Sequence, residues 1–406
     1  MTAVLEAPKA KHIGEGFAAV SATGCPACGS YATEHLLDAG DLPVNVGVFY
    51  DSREAAVAAP KGRLLLSGCR HCGFTFNRAF DPSARIFSPG YEVALHHSKT
   101  FRAFIDGVAK RLVERFELQG KRILEIGCGD AFFLKTLAEL GGNHCIGVDP
   151  TVVEPGEAKA GSGSVQLLRD YFGPAHGDMV ADFVCCLSVF EDIPRPHKFL
   201  QTVQQIASRN AAPLYFEVFN AQRAFQKNEV WSLHYEQCNY FGLQSLRSVF
   251  ERNGFSVESS GACYAGDQYL YVEARAADST RGPTDSACDL AEVQSFARSF
   301  IETRKSWESR LAGYRREGLR VVVWGTGGKG ITFLNSVAGT DQIRFVAEIN
   351  PNKHDKYVPG TGQRIVQPEF LREYRPDKII ITNALYENEM KQQARSLGVD
   401  AEFIVA

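Results

Sequence analysis

The chain has 406 residues, 45% of them apolar and 22% charged, with a formal net charge of -3. That length exceeds what one hydrophobic core sustains, so two or three domains are expected, and the composition excludes a disordered or fibrous polymer. The near-balanced charge provides no general basic field for nucleic acid or an anionic membrane, and no local basic patch stands out.

In chain order, residues 1 to about 20 carry no periodic pattern and no apolar run of signal-peptide length, and read as a loose leader. Nowhere do about 18 consecutive apolar residues suggest a membrane span, so a cytoplasmic protein with neither membrane nor nucleic acid as partner is expected. Residues 20–85 are short apolar runs broken by Gly, Pro and Asp, a strand-and-loop module with too little apolar material for a core of its own. Across residues 86–118 the period changes: Phe101, Phe104, Ile105, Val108, Leu112 and Phe116 recur at three and four residues, which predicts a helical connector. Within residues 119–276 the runs RILEIG, HCIGVD, DFVCCLS, PLYFEVF and YLYVEAR alternate with helical stretches, which predicts an α/β domain with a mostly parallel sheet. The polar ARAADSTRGPTDSA predicts a linker, residues 284–318 a helical linker, and residues 319–406, with VVVWG, IRFVAEIN and KIIITN, a second and smaller α/β domain.

Eleven cysteines in a reducing compartment argue for metal binding over disulfides. Cys25-Pro-Ala-Cys28 and Cys69-Arg-His-Cys72 each have the spacing at which two thiolates grip one side of a tetrahedral metal. Zinc held by all four is the reading, with a structural role, because a closed site leaves no position for water and replaces the core this module lacks.

Glu125-Ile126-Gly127-Cys128-Gly129-Asp130 closes the first central strand and opens a helix, and Asp149-Pro150 ends the next strand, where a carboxylate accepts hydrogen bonds from ribose hydroxyls. The turn lacks the third glycine of a dinucleotide fingerprint and carries an acid before it. It resembles the first motif of class I S-adenosylmethionine-dependent methyltransferases, whose fold is Rossmann-like. The resemblance implies that Glu125, Gly127, Cys128 and Gly129 lie beneath the methionine part of S-adenosylmethionine, that Asp149 and Pro150 meet the ribose, and that Asp170 and Tyr171 meet the adenine. Ser188-Val189-Phe190-Glu191-Asp192, just after the fourth strand, falls at the active-site rim, with Ser188 and Phe190 toward the cofactor.

The tail motif Gly325-Thr326-Gly327-Gly328-Lys329-Gly330 follows VVVW and has Glu348 eighteen residues beyond its last glycine, which spells a dinucleotide site. The ninety or so residues left suit only one mononucleotide half. Helix-start amides at Gly327 together with Lys329 would suit a diphosphate, and Asn350 and Asn383 fall after later strands, facing the same cleft.

Taken together, the cysteine pairs, EIGCGD, HYEQCNYF and WGTGGKGITFLN make the chain, from Cys25 to its end, similar to the deoxysugar C-methyltransferase family. This implies a zinc module, a cofactor domain and a second Rossmann-like domain enclosing a nucleotide-linked keto-sugar, in bacterial secondary metabolism such as antibiotic biosynthesis, by a monomer or homodimer. Family members carry Y-x-E-H-x-x-Y-F, with the His as base; here His234-Tyr235-Glu236-Gln237-Cys238-Asn239-Tyr240-Phe241 keeps the Glu and replaces the His by Gln237. A glutamine cannot take up a proton at neutral pH. Methylating carbon beside a carbonyl requires proton removal and enolate stabilisation, and bases work best near the operating pH. Glu236 is therefore the first candidate base, with His234, His96 and His97 behind it, and Tyr91, Tyr235 and Gln237 as polar partners. Tyr240, Gly327, Lys329, Asn350 and Asn383 are expected on the substrate side. An O- or N-methyltransferase needs less basicity and would account for Gln237, while an NAD-dependent oxidoreductase would use the C-terminal glycine loop.

Overall fold

The computed structural model describes residues 24–85, 87–277 and 290–406; the leader and most of the linker expected at 274–287 lie outside them. The first of three sheets is antiparallel, in the order Thr33–Pro43, Lys61–Cys69, Thr75–Asn77, Asn239–Tyr240. Its last strand comes from the HYEQCNYF stretch, far along the chain, so that stretch is anchored on the N-terminal module by main-chain pairing.

The central sheet runs Phe255–Cys263, Tyr269–Ala276, Leu214–Phe219, Phe183–Leu187, Arg122–Ile126, His144–Val148, Gly163–Leu168, Gly156–Ala160. Counted without the edge hairpin strand Gly156–Ala160, the order is 6-7-5-4-1-2-3, with strand 7 antiparallel between 5 and 6. Successive residues of each strand point to opposite faces. Leu124, Ile126, Val184 and Cys186 pack with Leu200, Val203 and Leu246 on one side, and Ile123, Phe183 and Cys185 with Ile105, Leu112 and Leu134 on the other. The paired cysteines of DFVCCLS are thus core residues of two different layers.

The connector helix covers the apolar period but not the whole of the expected 86–118. It spans Lys99–Arg115, with the Ser98 hydroxyl accepting from the Phe101 amide, and residues 87–98 are irregular around Gly90, whose φ is +98°. The helix is fixed to the sheet by Glu273, 1% exposed on strand Tyr269–Ala276, which forms ion pairs with Arg111 and Arg115.

The C-terminal sheet is parallel throughout, in the order Arg364–Val366, Phe345–Ala347, Val321–Trp324, Lys378–Ile381, Glu402–Val405. Helix Ala291–Arg316 lies against both this domain and the N-terminal module: Phe296, Phe300 and Trp307 join Leu37, Leu64 and Leu66 of the module and Ile331, Phe333 and Val346 of the C-terminal domain in one apolar cluster. The module has no core of its own, and shares two, since Cys25, Cys69, Phe74 and Phe76 join the apolar cluster of the central domain.

Replacing Glu273 by Gln leaves two guanidinium groups without their carboxylate. An unfolding titration is expected to show a loss of roughly 1–3 kcal/mol; an unchanged midpoint would mean the ion pairs contribute nothing.

Candidate cofactor and active site

The two cysteine pairs converge: the four Sγ atoms lie within 4.8 Å of one another, with Cys25–Cys72 and Cys28–Cys69 both at 3.7 Å. A tetrahedron with metal–sulfur bonds of about 2.3 Å has edges of about 3.8 Å. Each pair is held by the same turn. The Cys25 and Cys69 amides donate to the carbonyls of Ser30 and Phe74, and their own carbonyls accept from Gly29 and Gly73, whose φ values of +75° and +70° suit glycine. The donors fit a four-thiolate metal.

At the carboxyl end of the first central strand, Gly127 and Gly129 have φ of +76° and +53°, and a side chain at Gly127 would run into Val189 from the turn after strand 4. These two strand ends are where the sheet order reverses, the place where open α/β sheets bind ligands. Asp149 shapes the loop, its Oδ2 accepting from the Gly129 amide (2.9 Å) and its Oδ1 from the Thr151 amide and hydroxyl (both 2.6 Å). Glu125 is 3% exposed, and its Oε2 is buried without a hydrogen-bond partner. Burial, with Asp149 and Asp130 nearby, holds that carboxyl well above its usual range. An unpaired buried acceptor beside a glycine turn suits a ligand bearing an N–H or O–H donor.

The irregular segment 87–98 crosses this mouth. The Phe87 amide donates to the Tyr171 hydroxyl (2.9 Å), which donates in turn to the Phe87 carbonyl (3.1 Å). His96 stacks on Phe132, at the start of the helix after the glycine loop, with Nδ1 3.5 Å from Asp130. Glu92 accepts from Asn350 (3.0 Å) and Asn352 (2.9 Å) of the C-terminal domain, and Glu389 accepts from Ser98 and Thr100. His97 lies near Glu92 and Glu348, its pKa lowered by burial and by His96.

Glu236 sits behind this segment, 3% exposed. Its Oε1 accepts from the Val46 amide (2.8 Å) and Asn45 (3.1 Å), its Oε2 from the Tyr91 hydroxyl (2.8 Å). Burial raises its pKa, and Tyr91, Arg85 and the Val46 amide offset part of the rise. Arg85 donates to the carbonyls of both Glu236 and Asp192 at 2.8 Å. Gln237 is half-buried, with its Oε1 unpaired.

Other expected site residues stand elsewhere. The Tyr235 hydroxyl accepts from the Asp81 amide (2.8 Å) and its ring packs on Phe80, while Tyr240 donates to the His234 carbonyl; both side chains are buried. Phe190 is fully buried, stacked on Phe241, and Cys128 is packed against Gly147, so neither side chain is offered to a cofactor. Ser188 is exposed at φ +53°, Pro150 half-buried after Asp149, and Asp170 exposed with its Oδ1 on the Tyr171 amide.

The C-terminal glycine loop is occupied by protein. His234 contacts Gly328 directly and its Nδ1 lies 3.0 Å from the Thr332 hydroxyl; burial, with Lys329 nearby, lowers its pKa to about 4. Lys329 is paired with Glu229 at 2.7 Å, which is paired also with Arg223. Glu348 accepts from the Thr326 and Asn350 amides. His234 therefore fills the space above Gly328, and Lys329 shares the Glu229 carboxylate with Arg223. Gly327 is exposed, and Asn383 caps a turn through the Leu385 amide (3.2 Å). Arg85, Asn45 and Glu92 escaped the sequence reading: they lie in loops, and no local pattern marks a loop residue that meets its partner 150 or more positions away.

Residues 96–260 match a family model described as a methyltransferase domain, and residues 283–406 one described as a C-methyltransferase C-terminal domain. No curated protein matches the chain. Similar solved structures include magnesium protoporphyrin IX methyltransferase from Synechocystis PCC 6803 with bound SAH (19% identity over 43% of this chain and 81% of that one, TM-score 0.32). A SAM dependent methyltransferase from Aquifex aeolicus (17%, 41% and 89%, 0.33) and one from Mesorhizobium loti (14%, 42% and 99%, 0.32) are comparable.

Beside the site, Glu217 is 1% exposed on strand Leu214–Phe219, and burial pushes its carboxyl from 4.5 up to about 7 even though the Tyr215 hydroxyl bonds to it. A carboxyl raised on folding binds its proton more tightly in the native chain, so it costs nothing below the unfolded value and removes stability as pH climbs toward 7. Glu217→Gln, neutral throughout, is expected to be more stable than wild type at pH 8 by up to about 3 kcal/mol and equal to it at pH 4. Urea midpoints at the two pH values decide this, and an identical difference at both would show that Glu217 does not titrate.

Proposed function

We propose that this S-adenosylmethionine-dependent methyltransferase, a chain of the sugar C-methyltransferase type, methylates carbon beside a carbonyl in a small molecule of the nucleotide-linked keto-deoxysugar class. The observation that carries the reading is Glu236, a buried carboxylate held by donors from two other parts of the chain and tied through Arg85 to the turn that overlies the cofactor loop. The C-methyltransferase C-terminal match supports the same substrate class. When bound, S-adenosylmethionine supplies an electrophilic methyl on a sulfonium.

Gly127 and Gly129 would let the backbone approach the cofactor, Asp149 would hold its ribose, and Glu125, with its unpaired Oε2, would hold its methionine part. Glu236 removes the proton from the acceptor carbon, its basicity raised by burial, while Tyr91 holds Oε2 in place. The segment carrying Phe87, His96 and His97 keeps water from the enolate. Zinc bound by Cys25, Cys28, Cys69 and Cys72 keeps the module folded, and so keeps Asn45 and Val46 on Glu236.

Calorimetry should give micromolar binding of S-adenosylhomocysteine and none of NADH, with the former lost in Gly127→Ala; tight NADH binding instead would overturn the assignment. Incubation with nucleotide-linked keto-sugars and methyl-labelled cofactor is expected to yield a methyl on carbon by NMR, a methyl on oxygen or nitrogen being the contrary result. Glu236→Gln should retain cofactor affinity and lose roughly 100-fold in turnover; full turnover would place the base elsewhere.

For the metal, elemental analysis should find one zinc per chain, and none in Cys69→Ser, with the variant's first module becoming protease-sensitive. A metal-free, protease-resistant wild type would refute the structural zinc.

A further inference from the structure

Asp192 ends the short turn Phe190–Asp192 that follows the fourth central strand, three residues beyond the Val189 that covers Gly127. One guanidinium holds it in relation to Glu236: Arg85 Nη2 binds the Asp192 carbonyl and Nη1 the Glu236 carbonyl, each at 2.8 Å. The main chains bearing two carboxyl groups are therefore pinned to the same planar group, close enough that Asp192, Glu236 and Tyr91 act on one another electrostatically.

Their surroundings are opposite. Glu236 accepts hydrogen bonds at both oxygens, from Val46, Asn45 and Tyr91. The Asp192 Oδ1 is buried and accepts none. Two neighbouring carboxyls out of water do not both ionise, and donors stabilise the charged form, so the proton resides on the one without donors. Burial raises Asp192 well above the usual carboxylate range, with Glu191 and Glu236 adding to the rise and Arg85 opposing it. The titratable and charged groups around it are Arg85, Glu191, Glu236, Tyr91 and Cys238.

We propose that Asp192 is the protonated member of this carboxyl pair and the catalytic acid of the site, donating from Oδ1 to the substrate carbonyl oxygen while Glu236 removes the proton from the adjacent carbon. The role in catalysis rests on the carbon-methylation reading. As Glu236 takes the proton, the C–H electron pair becomes the C=C bond and the carbonyl π pair moves to oxygen, where the Asp192 O–H stabilises it. When the carbon forms its bond to the methyl, the C–S pair remains on sulfur and the oxygen pair re-forms the carbonyl. Asp192 ends with its proton, and Glu236 passes the one it gained to solvent. The loss of the family His at Gln237 then has a counterpart: the acid–base work is divided between two carboxyls.

Two readouts test the proposal. Carbon NMR of protein labelled at the aspartate carboxyl carbon should show one resonance that stays at the protonated position through pH 7 in wild type, is absent in Asp192→Asn, and titrates at lower pH in Glu236→Gln. No such resonance, or its persistence in Asp192→Asn, overturns the protonated assignment. In turnover, with SAH affinity unchanged as the check on folding, Asp192→Asn retains an N–H donor and should lose about tenfold in kcat, and Asp192→Ala about 100- to 1000-fold, with KM little altered. Equal, undiminished kcat in both variants overturns the catalytic role. A methyl found on oxygen or nitrogen overturns the carbon-methylation reading, and the catalytic role with it, while the NMR decides the protonation separately.

Discussion

A carboxylate taken out of water must be given donors, and Glu236 cannot obtain them from its own domain. The Val46 amide and Asn45 come from the N-terminal module and Tyr91 from the segment before the central domain. Satisfying one buried charge therefore requires three stretches of chain to be closed on each other. The other contacts of that region follow the same geometry: Asn239–Tyr240 pairs with Thr75–Asn77 to bring Glu236 to the module, and Arg85 ties the result to the turn above the cofactor loop.

The two Rossmann-like domains make their glycine loops in the same way. In each, the glycine amide after the first strand binds the end of the second strand, Gly127 to Val148 and Gly325 to Ala347, and the acid that follows accepts a loop amide, Asp149 from Gly129 and Glu348 from Thr326. What separates them is the neighbour. The central loop is crossed by a segment that leaves Glu125 Oε2 unpaired, whereas His234, Thr332 and the Lys329–Glu229 pair fill the C-terminal one. A glycine pattern specifies a turn that a ligand can approach; it does not specify that the space is left open.

The N-terminal module illustrates how a small unit persists without a core. Its apolar residues Leu37, Leu64 and Leu66 are buried in one cluster with Trp231, Phe300 and Ile331 from elsewhere, and its other end is gathered by four thiols at metal-cage spacing. Segment 87–98 joins this module to both larger domains through Tyr91, His96 and Glu92, so the approach to the glycine loop is lined by residues of all three parts.

What the amino-acid order settled by itself were the features encoded by short spacing: the cysteine pairs, the glycine turns with their following acids, the alternation of strands and helices, and the period of the helix Lys99–Arg115. These depend on neighbours a few positions apart. Only the tertiary structure decided that Tyr235, Tyr240 and Phe190 are buried, that His234 packs over the C-terminal glycine loop, and that Arg85 ties the main chains of Asp192 and Glu236 together. Those outcomes depend on which face of a strand meets which neighbour, and on partners 100 or more residues apart, such as Tyr91 with Glu236 and Arg85 with Asp192. Burial and charge neutralisation are properties of the assembled chain, and no local pattern carries them.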